Sequence, residues 1–442
     1  MTAAPPRRRV LFLTPQTPHR ARQGAAIRNW NLMAQLARRH DLDLLTFAGD
    51  GVPPGARPGR GDEPWHTLTA LPPPRRSPGR RLRALLDGRA DMADRLWSPA
   101  FARQFAALLR AGAYDIVQAE GIELAGYPLG LTAPADHRPL LVFDDHNAEY
   151  VLQRRAAATD LQRPGRWPAA LYSLAQWGRL RAFERRVLRA CDLTVCVSEA
   201  DAQALQALAP ERPLIVAPHG VDLDYYTPEA EAGHGPRFDV VFSGTLDYRP
   251  NVDAALWFVG AIWPALRSRR PHLRLALVGR NPTPEITRLV RLGNIAVTGS
   301  VADDRPYYAG ATAYVLPIRY GSGVRLKLLN ALAMGCAVVA TTPACEGVPV
   351  RDGVHLLVAD GEEAFAAAVE RLLDDEALRA RLGAAGRAFV AEHYDWAAIV
   401  ARLEAGYEAA FRIRASAATP AAALPTPQPD TSQPDAPPAG KS

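Results

Sequence analysis

Residues 317–331 read Pro-Ile-Arg-Tyr-Gly-Ser-Gly-Val-Arg-Leu-Lys-Leu-Leu-Asn-Ala. An apolar strand ends at Pro317, two glycines allow a tight turn with exposed backbone amides, and a helix follows. A helix N-terminus carries partial positive charge, and Arg325 and Lys327 add two cations close to it. The pattern predicts an anion site suited to a diphosphate. A glycine turn with two solvated basic residues is the alternative.

Lysine is rare in this chain, which favours a specific role for Lys327. The sequence holds 52 Lys and Arg, but Lys327 and Lys441 are its only lysines. Lys441 falls in a Pro- and Ala-rich tail, so Lys327 is the single lysine of the predicted folded part. A compact ammonium here indicates a point-charge contact, since arginine serves nearly everywhere else.

Short apolar runs alternate with helical stretches on both sides of this segment, which predicts parallel sheets covered by helices. One series of strands runs from 10–14 to 214–217, and a second begins at 239–242 and ends at 356–358. We therefore expect an α/β protein with two Rossmann-like parallel-sheet domains facing each other across a cleft. Open α/β sheets bind ligands beyond the carboxyl ends of their strands, so polar residues just after strands are the candidates for function.

Several segments lie outside this alternation. Residues 51–80 are rich in Pro, Gly and Arg and are predicted to be a loop. A Pro-, Gly- and Glu-rich stretch around 228–236 marks the domain boundary, so we assign 1–218 to the first domain, 219–237 to the connection and 238–393 to the second domain. Residues 415–442 have almost nothing large to bury and are predicted to be a disordered tail.

Composition excludes several classes of protein. The 442 residues are 48% hydrophobic and 22% charged, which is typical of globular proteins. No apolar run is long enough to cross a bilayer, and the four cysteines lack the spacing of a zinc site. The short apolar run after Arg7–Arg9 leads us to expect no secretory signal. We expect buried thiols and a cytoplasmic protein.

Positive charge is concentrated at the start of the chain. Residues 1–110 hold 19 Arg against eight Asp and Glu, although the whole chain is only +6. Clusters such as Arg75-Arg76 and Arg80-Arg81 could attract an anionic membrane surface or could simply be solvated. Nothing indicates nucleic acid as a partner, since no basic run is interleaved with aromatic residues.

The segment from Gly321 to Thr341 resembles the nucleotide-sugar site of the family 4 glycosyltransferases, which have the GT-B fold. The resemblance covers roughly residues 8–410 and rests on a series of further motifs in the family's order: Pro218–Asp222, Ser243–Thr245, Pro250–Asp253, Val278–Arg280, Val297–Val301 and Tyr394–Trp396. The runs at 145–149 and 250–253 are most similar to a bacterial branch involved in exopolysaccharide or cell-surface sugar transfer.

The resemblance implies a retaining, metal-independent enzyme that moves a sugar from a nucleotide-diphosphate sugar to a glycan or lipid-linked hydroxyl acceptor. It implies an acceptor-side first domain, a donor-binding second domain, and a helix at 394–414 that crosses back to the first domain. No cofactor and no metal is expected beyond the donor substrate, and the enzyme would be cytoplasmic, with its basic first domain at the inner face of the membrane. The pair Asp303-Asp304 is interpreted as a helix cap, since Asp favours helix starts.

In the second domain the resemblance assigns catalysis to Arg325 and Lys327. Donor binding falls to a larger set of residues: Gly244, Thr245, Arg249, Gly279, Gly321, Ser322, Gly323, Asn330 and Glu346. A loop carboxylate without a role is the alternative for Glu346.

Two departures from the family pattern stand out. Ser322 and Asn330 occupy positions where the family usually has glutamates, the second of which binds the ribose hydroxyls. An amide accepts such a bond without charge, which weakens it. Thr245 stands where many relatives have Arg, and Arg249 lies close to their Lys position. We therefore expect altered or weaker nucleotide binding.

In the first domain the resemblance assigns a phosphate-approaching turn to Gly24 and a catalytic or sugar-orienting role to His146, which follows a strand. A histidine satisfied by the neighbouring Asp144 or Asp145 is the alternative. Glu120 and Glu149 are weaker candidates for acceptor contact.

Two other functions remain compatible with the sequence. A nucleotide-sugar epimerase shares the GT-B architecture but needs acid and base carboxylates near the sugar. A catalytically inactive binding protein would fit the departures at Ser322 and Asn330.

Overall fold

The computed structural model describes residues 6–18, 24–48, 63–75, 87–131, 138–161, 165, 167–228, 235–320 and 324–418. The predicted glycine turn at 321–323, most of the predicted 415–442 tail and the Arg80-Arg81 cluster lie outside the described residues. So do Arg76 and parts of the predicted loop and connection.

The first domain is a seven-stranded parallel sheet in the order β3-β2-β1-β4-β5-β6-β7. Its strands are β1 Arg9–Thr14, β2 Asp41–Phe47, β3 Thr67–Leu71, β4 Ile116–Glu120, β5 Leu140–Asp145, β6 Leu193–Cys196 and β7 Leu214–Val216. Its helices are α1 Gly24–Leu36, α2 Asp91–Asp94, α3 Pro99–Ala111, α4 Glu149–Leu161, α5 Trp167–Ala190 and α6 Glu199–Gln206.

The second domain is a six-stranded parallel sheet in the order β10-β9-β8-β11-β12-β13. Its strands are β8 Phe238–Ser243, β9 Leu275–Val278, β10 Ile295–Val297, β11 Ala311–Leu316, β12 Val338–Ala340 and β13 Leu357–Val358. Its helices are α7 Arg249–Trp257, which continues through a π-helical turn at Phe258–Ile262 into α8 Trp263–Arg269, then α9 Pro284–Arg288, α10 Arg305–Ala309, α11 Leu326–Ala333, α12 Glu362–Asp374 and α13 Glu376–His393.

These sheets confirm the predicted fold class, and interior strands such as β4, β5 and β9 are buried on both faces. The prediction of a loop at 51–80 was wrong for Thr67–Leu71, which pairs with β2 as an edge strand. Gly24 is the first residue of α1 and not part of a preceding turn. Cys191, Cys196 and Cys336 are buried and all four cysteines are free, as predicted.

The last helix, α14 Trp396–Ala418, returns to the first domain, as the resemblance implied. It extends four residues into the segment predicted to be a disordered tail. Ile399, Leu403 and Tyr407 pack into the same apolar cluster as Val10 and Phe12 of β1. Burial of this apolar face stabilises the crossing.

The chain passes between the two domains twice, near Gly220 and again near Trp396, and these two segments lie side by side. The backbone amide of Val221 donates to the carbonyl of Tyr394 at 2.8 Å. A Cβ at Gly220 would lie 2.6 Å from the Trp396 ring, so only glycine allows the two segments to pack this closely. This pair of crossings joins the domains at one edge of the cleft.

Candidate active site

Lys327 lies at the carboxyl edge of the second sheet, near the start of α11. Buried leucines and alanines fill the core side of that helix, which leaves Lys327 facing the loop after β8. Its Nζ donates to Oδ1 of Asn251 at 2.7 Å and lies 4.9 Å from the centre of the Phe242 ring. A Cβ at Gly244 would come within 2.3 Å of Nζ, so the glycine makes room for the ammonium group.

The charge on Lys327 is poorly compensated. Burial, together with the nearby Arg325 cation, lowers the pKa of Lys327 to about 7. Among the described residues, no carboxylate forms an ion pair with the ammonium; its hydrogen-bond acceptor is the neutral amide of Asn251. A buried cation without a counter-charge is costly, so an anionic ligand at this position would be strongly favoured.

The glycines predicted for donor binding close the floor of this site. Gly244 and Gly279 both have φ near +151°, and a Cβ on Gly279 would overlap the carbonyl of Gly244. Asn251 lies on the first turn of α7, and its Nδ2 donates to the carbonyl of Thr245 at 2.9 Å. Asn251 therefore ties Lys327 to the loop after β8. Sequence reasoning quoted it within a motif but missed this role.

Arg325 immediately precedes α11 and is half-buried beside Lys327. Burial lowers the pKa of Arg325, while the charges of Tyr248 and Glu346 act in the opposite direction. Gly347, next to Glu346, packs against Val324, which brings the carboxylate to the same edge. The structure thus places Arg325, Lys327 and Glu346 together.

Three more of the residues predicted for donor binding, Thr245, Arg249 and Asn330, lie on or next to the elements that frame this group. Arg249 is exposed at the start of α7, and the Tyr320 hydroxyl donates to its carbonyl at 3.3 Å. Thr245 and Asn330 are half-buried. Gly321, Ser322 and Gly323 lie outside the described residues.

His146 follows β5 in the first domain, and Glu120 holds it. Parallel pairing of β4 with β5 sets Glu120 opposite Asp144, and the Glu120 carboxylate lies 3.1 Å from Nε2 of His146. His146 is 15% exposed, whereas Glu120 is fully buried. Glu120 is therefore not placed to contact an acceptor, contrary to the prediction. The alternative of Asp144 or Asp145 satisfying His146 is also wrong.

A chain of hydrogen bonds extends from Glu120 to the returning helix. Gln118 donates to Oε1 of Glu120 at 2.7 Å, and the hydroxyl of Tyr407 on α14 donates to Gln118. Asn29, with its amide nitrogen turned toward Glu120, donates to Oε2 at 2.9 Å. Three donors, the histidine included, surround a buried carboxylate. They fix its position and hence the ring of His146.

Arg28 and Asp144 form a completely buried ion pair beneath this chain, at 2.8 Å. Arg28 also donates to the carbonyl of Pro218, where the chain leaves the first domain. Burial and the Asp144 charge raise the pKa of Glu120, whereas hydrogen bonding from His146 and the Arg28 charge oppose the increase. Sequence reasoning missed Arg28, because an arginine inside a helix normally indicates its solvent face.

Glu149 opens α4 and is half-buried, close enough to His146 for their charges to interact. Burial raises the pKa of Glu149 and, more strongly, that of Asp145. Glu184 of α5 accepts from the backbone amides of Glu149 and Tyr150, so it caps α4. Burial raises the pKa of Glu184 to about 8.

Two sets of acidic residues are candidates for metal ligands. Glu120, Asp144 and His146 offer ligand atoms within 4.8 Å of one another, but both carboxylates already bind donors of the protein, including the Arg28 guanidinium. Asp303 accepts from the Arg305 backbone amide and pairs with its side chain, as a residue at a helix start does.

No helix within the described ranges is both long and apolar enough to span a membrane.

Two family models match most of the chain. One described as Glycosyltransferase Family 4 matches residues 22–225, and one described as Glycosyl transferases group 1 matches residues 237–375. The two matches fall on the first and second sheets respectively.

Curated relatives carry related descriptions. A GDP-mannose-dependent alpha-(1-6)-phosphatidylinositol monomannoside mannosyltransferase of Mycobacterium tuberculosis is 28% identical over 327 residues, which is 65% of this chain and 84% of the relative. The protein of the same description from Mycolicibacterium smegmatis is 30% identical over 243 residues, covering 50% of this chain and 63% of the relative.

Solved structures share the fold. Sucrose-phosphate synthase from Thermosynechococcus elongatus superposes with a TM-score of 0.66 at 20% identity, covering 92% of this chain and 100% of that one. HepE from Anabaena, solved with UDP and glucose, gives a TM-score of 0.59 at 14% identity, covering 91% of this chain and 100% of that one.

Proposed function

We propose a specific reaction for this chain, which belongs to the family 4 glycosyltransferases and has the GT-B fold. The enzyme is a glycosyltransferase that uses a nucleotide-sugar donor. The proposal is that it transfers a hexosyl or related group from a nucleotide-diphosphate sugar to a hydroxyl acceptor, with retention at the anomeric carbon and without a divalent metal ion.

The observation that carries this proposal is the partly buried ammonium of Lys327. It lies beside Gly244 at the carboxyl edge of the second sheet, bound to a neutral amide and next to a second cation, Arg325. A diphosphate supplies the negative charge that this site lacks. Two cations and the amide end of α11 can stabilise it without a metal ion.

These same groups would act on the leaving group. When the glycosidic bond to the donor breaks, negative charge grows on the diphosphate oxygen that departs. Lys327, Arg325 and the N-terminal amides of α11 are already in position, so they stabilise that charge without reorganisation. The acceptor hydroxyl loses its proton to the departing diphosphate, so the attack occurs on the face that the leaving group vacates.

The first domain would orient the sugar and exclude water. His146, held by Glu120, is a partly exposed polar group after β5 and is suited to a sugar hydroxyl. Glu346 of the second domain lies 3.7 Å from Arg155 of α4, so the domains already touch at the site. Closure around the donor would limit its hydrolysis.

GDP-mannose is the first donor to test, because the mycobacterial relatives are described as GDP-mannose-dependent. Their description also names a phosphatidylinositol mannoside, which supports a lipid-linked acceptor at the inner face of the cytoplasmic membrane. Synthesis of an exopolysaccharide or cell-surface glycan is the role we propose.

Thermal stabilisation by a panel of GDP-, UDP- and ADP-sugars, measured in EDTA, tests the donor. A donor at 100 times its Kd adds about 2.7 kcal/mol to the free energy of unfolding. We expect one base to stabilise the wild type and the effect to be lost in Lys327→Met. An exposed-arginine control, Arg288→Gln on α9, should retain it. Stabilisation by no donor, or stabilisation only with Mg²⁺ or Mn²⁺, would contradict the proposal.

A further inference from the structure

Helices α4 and α5 form a hairpin that projects past the edge of the first sheet. Helix α5 has 24 residues, about 36 Å, whereas β5 has six residues, about 20 Å. Because α5 leads into the start of β6, its C-terminal end lies at the amino edge of the sheet. Its N-terminal end at Trp167 therefore extends about 16 Å beyond the carboxyl edge.

The length of α4 agrees with this geometry. Helix α4 starts at that carboxyl edge, directly after β5, and its 13 residues span about 20 Å. Partway along it, Arg155 lies 3.7 Å from Glu346 of the second domain. The hairpin therefore stands at the mouth of the cleft between the domains.

The tip of this hairpin exposes large apolar side chains. Trp167 is 55% exposed and Leu171 is 65% exposed, both in the first two turns of α5. Leu161, Tyr172 and Leu174 are exposed as well. We call these five side chains the apolar tip. The indole N–H of Trp167 donates to the carbonyl of Leu161 at 3.2 Å, so the part of the ring left to solvent is apolar.

Arginines outnumber carboxylates around the apolar tip, although Asp160 precedes Leu161 and Asp91 accepts from the Tyr172 hydroxyl at 3.2 Å. Residues 161–183 contain four arginines and no Asp or Glu. Of these, Arg181 is exposed; Arg185 further along α5 and Arg154 on α4 are exposed too. A helix with an exposed apolar end and a cationic flank is suited to the interface of an anionic bilayer.

We propose that the apolar tip inserts into the headgroup region of an anionic lipid bilayer, with the surrounding arginines against lipid phosphates. This places the mouth of the cleft on the membrane and gives a lipid-linked acceptor a direct route to it. The inference rests on the proposed function for its acceptor, but the docking itself is independent of catalysis. It locates the membrane contact on the hairpin and not on the arginine-rich start of the chain.

Co-sedimentation of the full chain with vesicles tests the docking. The wild type should bind vesicles of 70% phosphatidylcholine and 30% phosphatidylglycerol, bind pure phosphatidylcholine weakly, and lose binding as salt rises. The triple variant Trp167→Ser, Leu171→Ser and Leu174→Ser should lose at least about tenfold in partitioning. The control Val290→Ser with Leu292→Ser, at similarly exposed positions of the second domain, should stay within about twofold.

A depth-sensitive readout adds to this experiment. Brominated lipid should quench part of the tryptophan fluorescence of the wild type, and Trp167→Phe should abolish that part. The docking would be overturned if the wild type did not bind anionic vesicles, if the triple variant bound them as well as the wild type, or if the control variant lost as much binding as the triple variant. So would a wild-type dimer that the triple variant dissociates without any vesicle binding.

Donor stabilisation of the triple variant separates the two proposals. It should equal that of the wild type, because the apolar tip does not touch the donor site. If neither the wild type nor the triple variant binds donor while the wild type still binds vesicles, the proposed function fails and the docking stands. If donor binding is normal and vesicle binding is absent, the docking fails alone.

Discussion

Donor affinity should weaken as the pH rises from 6 to 9, because the ammonium of Lys327 must be protonated to attract a diphosphate. Its pKa in the free enzyme is lowered to about 7 by burial and by the Arg325 charge. Near that pKa the group is about 90% protonated at pH 6, about 10% at pH 8 and about 1% at pH 9. A diphosphate beside it raises the pKa again, so binding takes up a proton above pH 7.

The size of the effect follows from these fractions. If the protonated form alone binds donor, the apparent Kd is the intrinsic value divided by the protonated fraction. The Kd should then rise about tenfold from pH 6 to pH 8 and about ninetyfold from pH 6 to pH 9. Raising the pH removes the proton and therefore the attraction, so affinity falls with pH and never increases.

Isothermal calorimetry with a non-hydrolysable nucleotide-sugar analogue measures this dependence. A nucleotide sugar is the proper probe, because the terminal phosphate of a nucleoside diphosphate itself titrates near pH 6, as phosphate monoesters do. Repeating the titration at pH 8 in buffers of different ionisation enthalpy should show uptake of nearly one proton.

Lys327→Met is the matched variant, since it keeps the length of the side chain and loses the charge. It should bind donor more weakly than the wild type at pH 6 and lose the proton uptake, so the Kd values of the two proteins should approach each other as the pH rises and the wild type loses its charge. A wild-type Kd that stays constant between pH 6 and pH 9, or a methionine variant with the wild-type slope, would refute the reasoning.

Three further predictions concern other parts of the site. Tyr407→Phe should lower kcat with little change in donor KM, because it loosens the hydrogen bonds that fix His146, the proposed catalytic histidine. Tyr114→Phe, which deletes a comparable hydroxyl bonded to Asp43, should not lower kcat, and equal effects of the two variants would contradict this role of the hydrogen-bond chain. Arg28→Met should lower the free energy of unfolding by about 3–5 kcal/mol in chemical denaturation, because it leaves Asp144 buried without its partner. Adding Asp144→Leu should restore part of that stability, and an Arg28→Met protein as stable as the wild type would contradict this. Asn330→Glu should tighten nucleotide binding in calorimetry; weaker binding would show that the amide suits this donor.

The fold could be predicted largely because its central strands are short, apolar and buried on both faces. Val10, Val117 and Leu277 lie in such runs, and their strands are where the pattern indicated. The strand at Thr67–Leu71 was missed because an edge strand is only partly buried, and here it follows a Pro- and Gly-rich stretch.

The candidate site was only partly predictable. Arg325 and Lys327 could be identified because they are close together in the chain and closely follow Gly321 and Gly323 in the sequence. The partners of these groups come from distant segments. Asn251 is 76 residues from Lys327, and Tyr407 is 289 residues from Gln118, so the pairings exist only once the sheets and the returning helix are assembled.

Glycosyl transfer in the presence of EDTA, with the anomeric configuration of the product determined by NMR, tests the central claim most directly. The wild type should transfer sugar from its preferred nucleotide donor with retention, and Lys327→Ala should lose transfer while unfolding at a similar denaturant concentration. Activity that EDTA abolishes and Mn²⁺ or Mg²⁺ restores, or a Lys327→Ala enzyme that turns over normally, would contradict it.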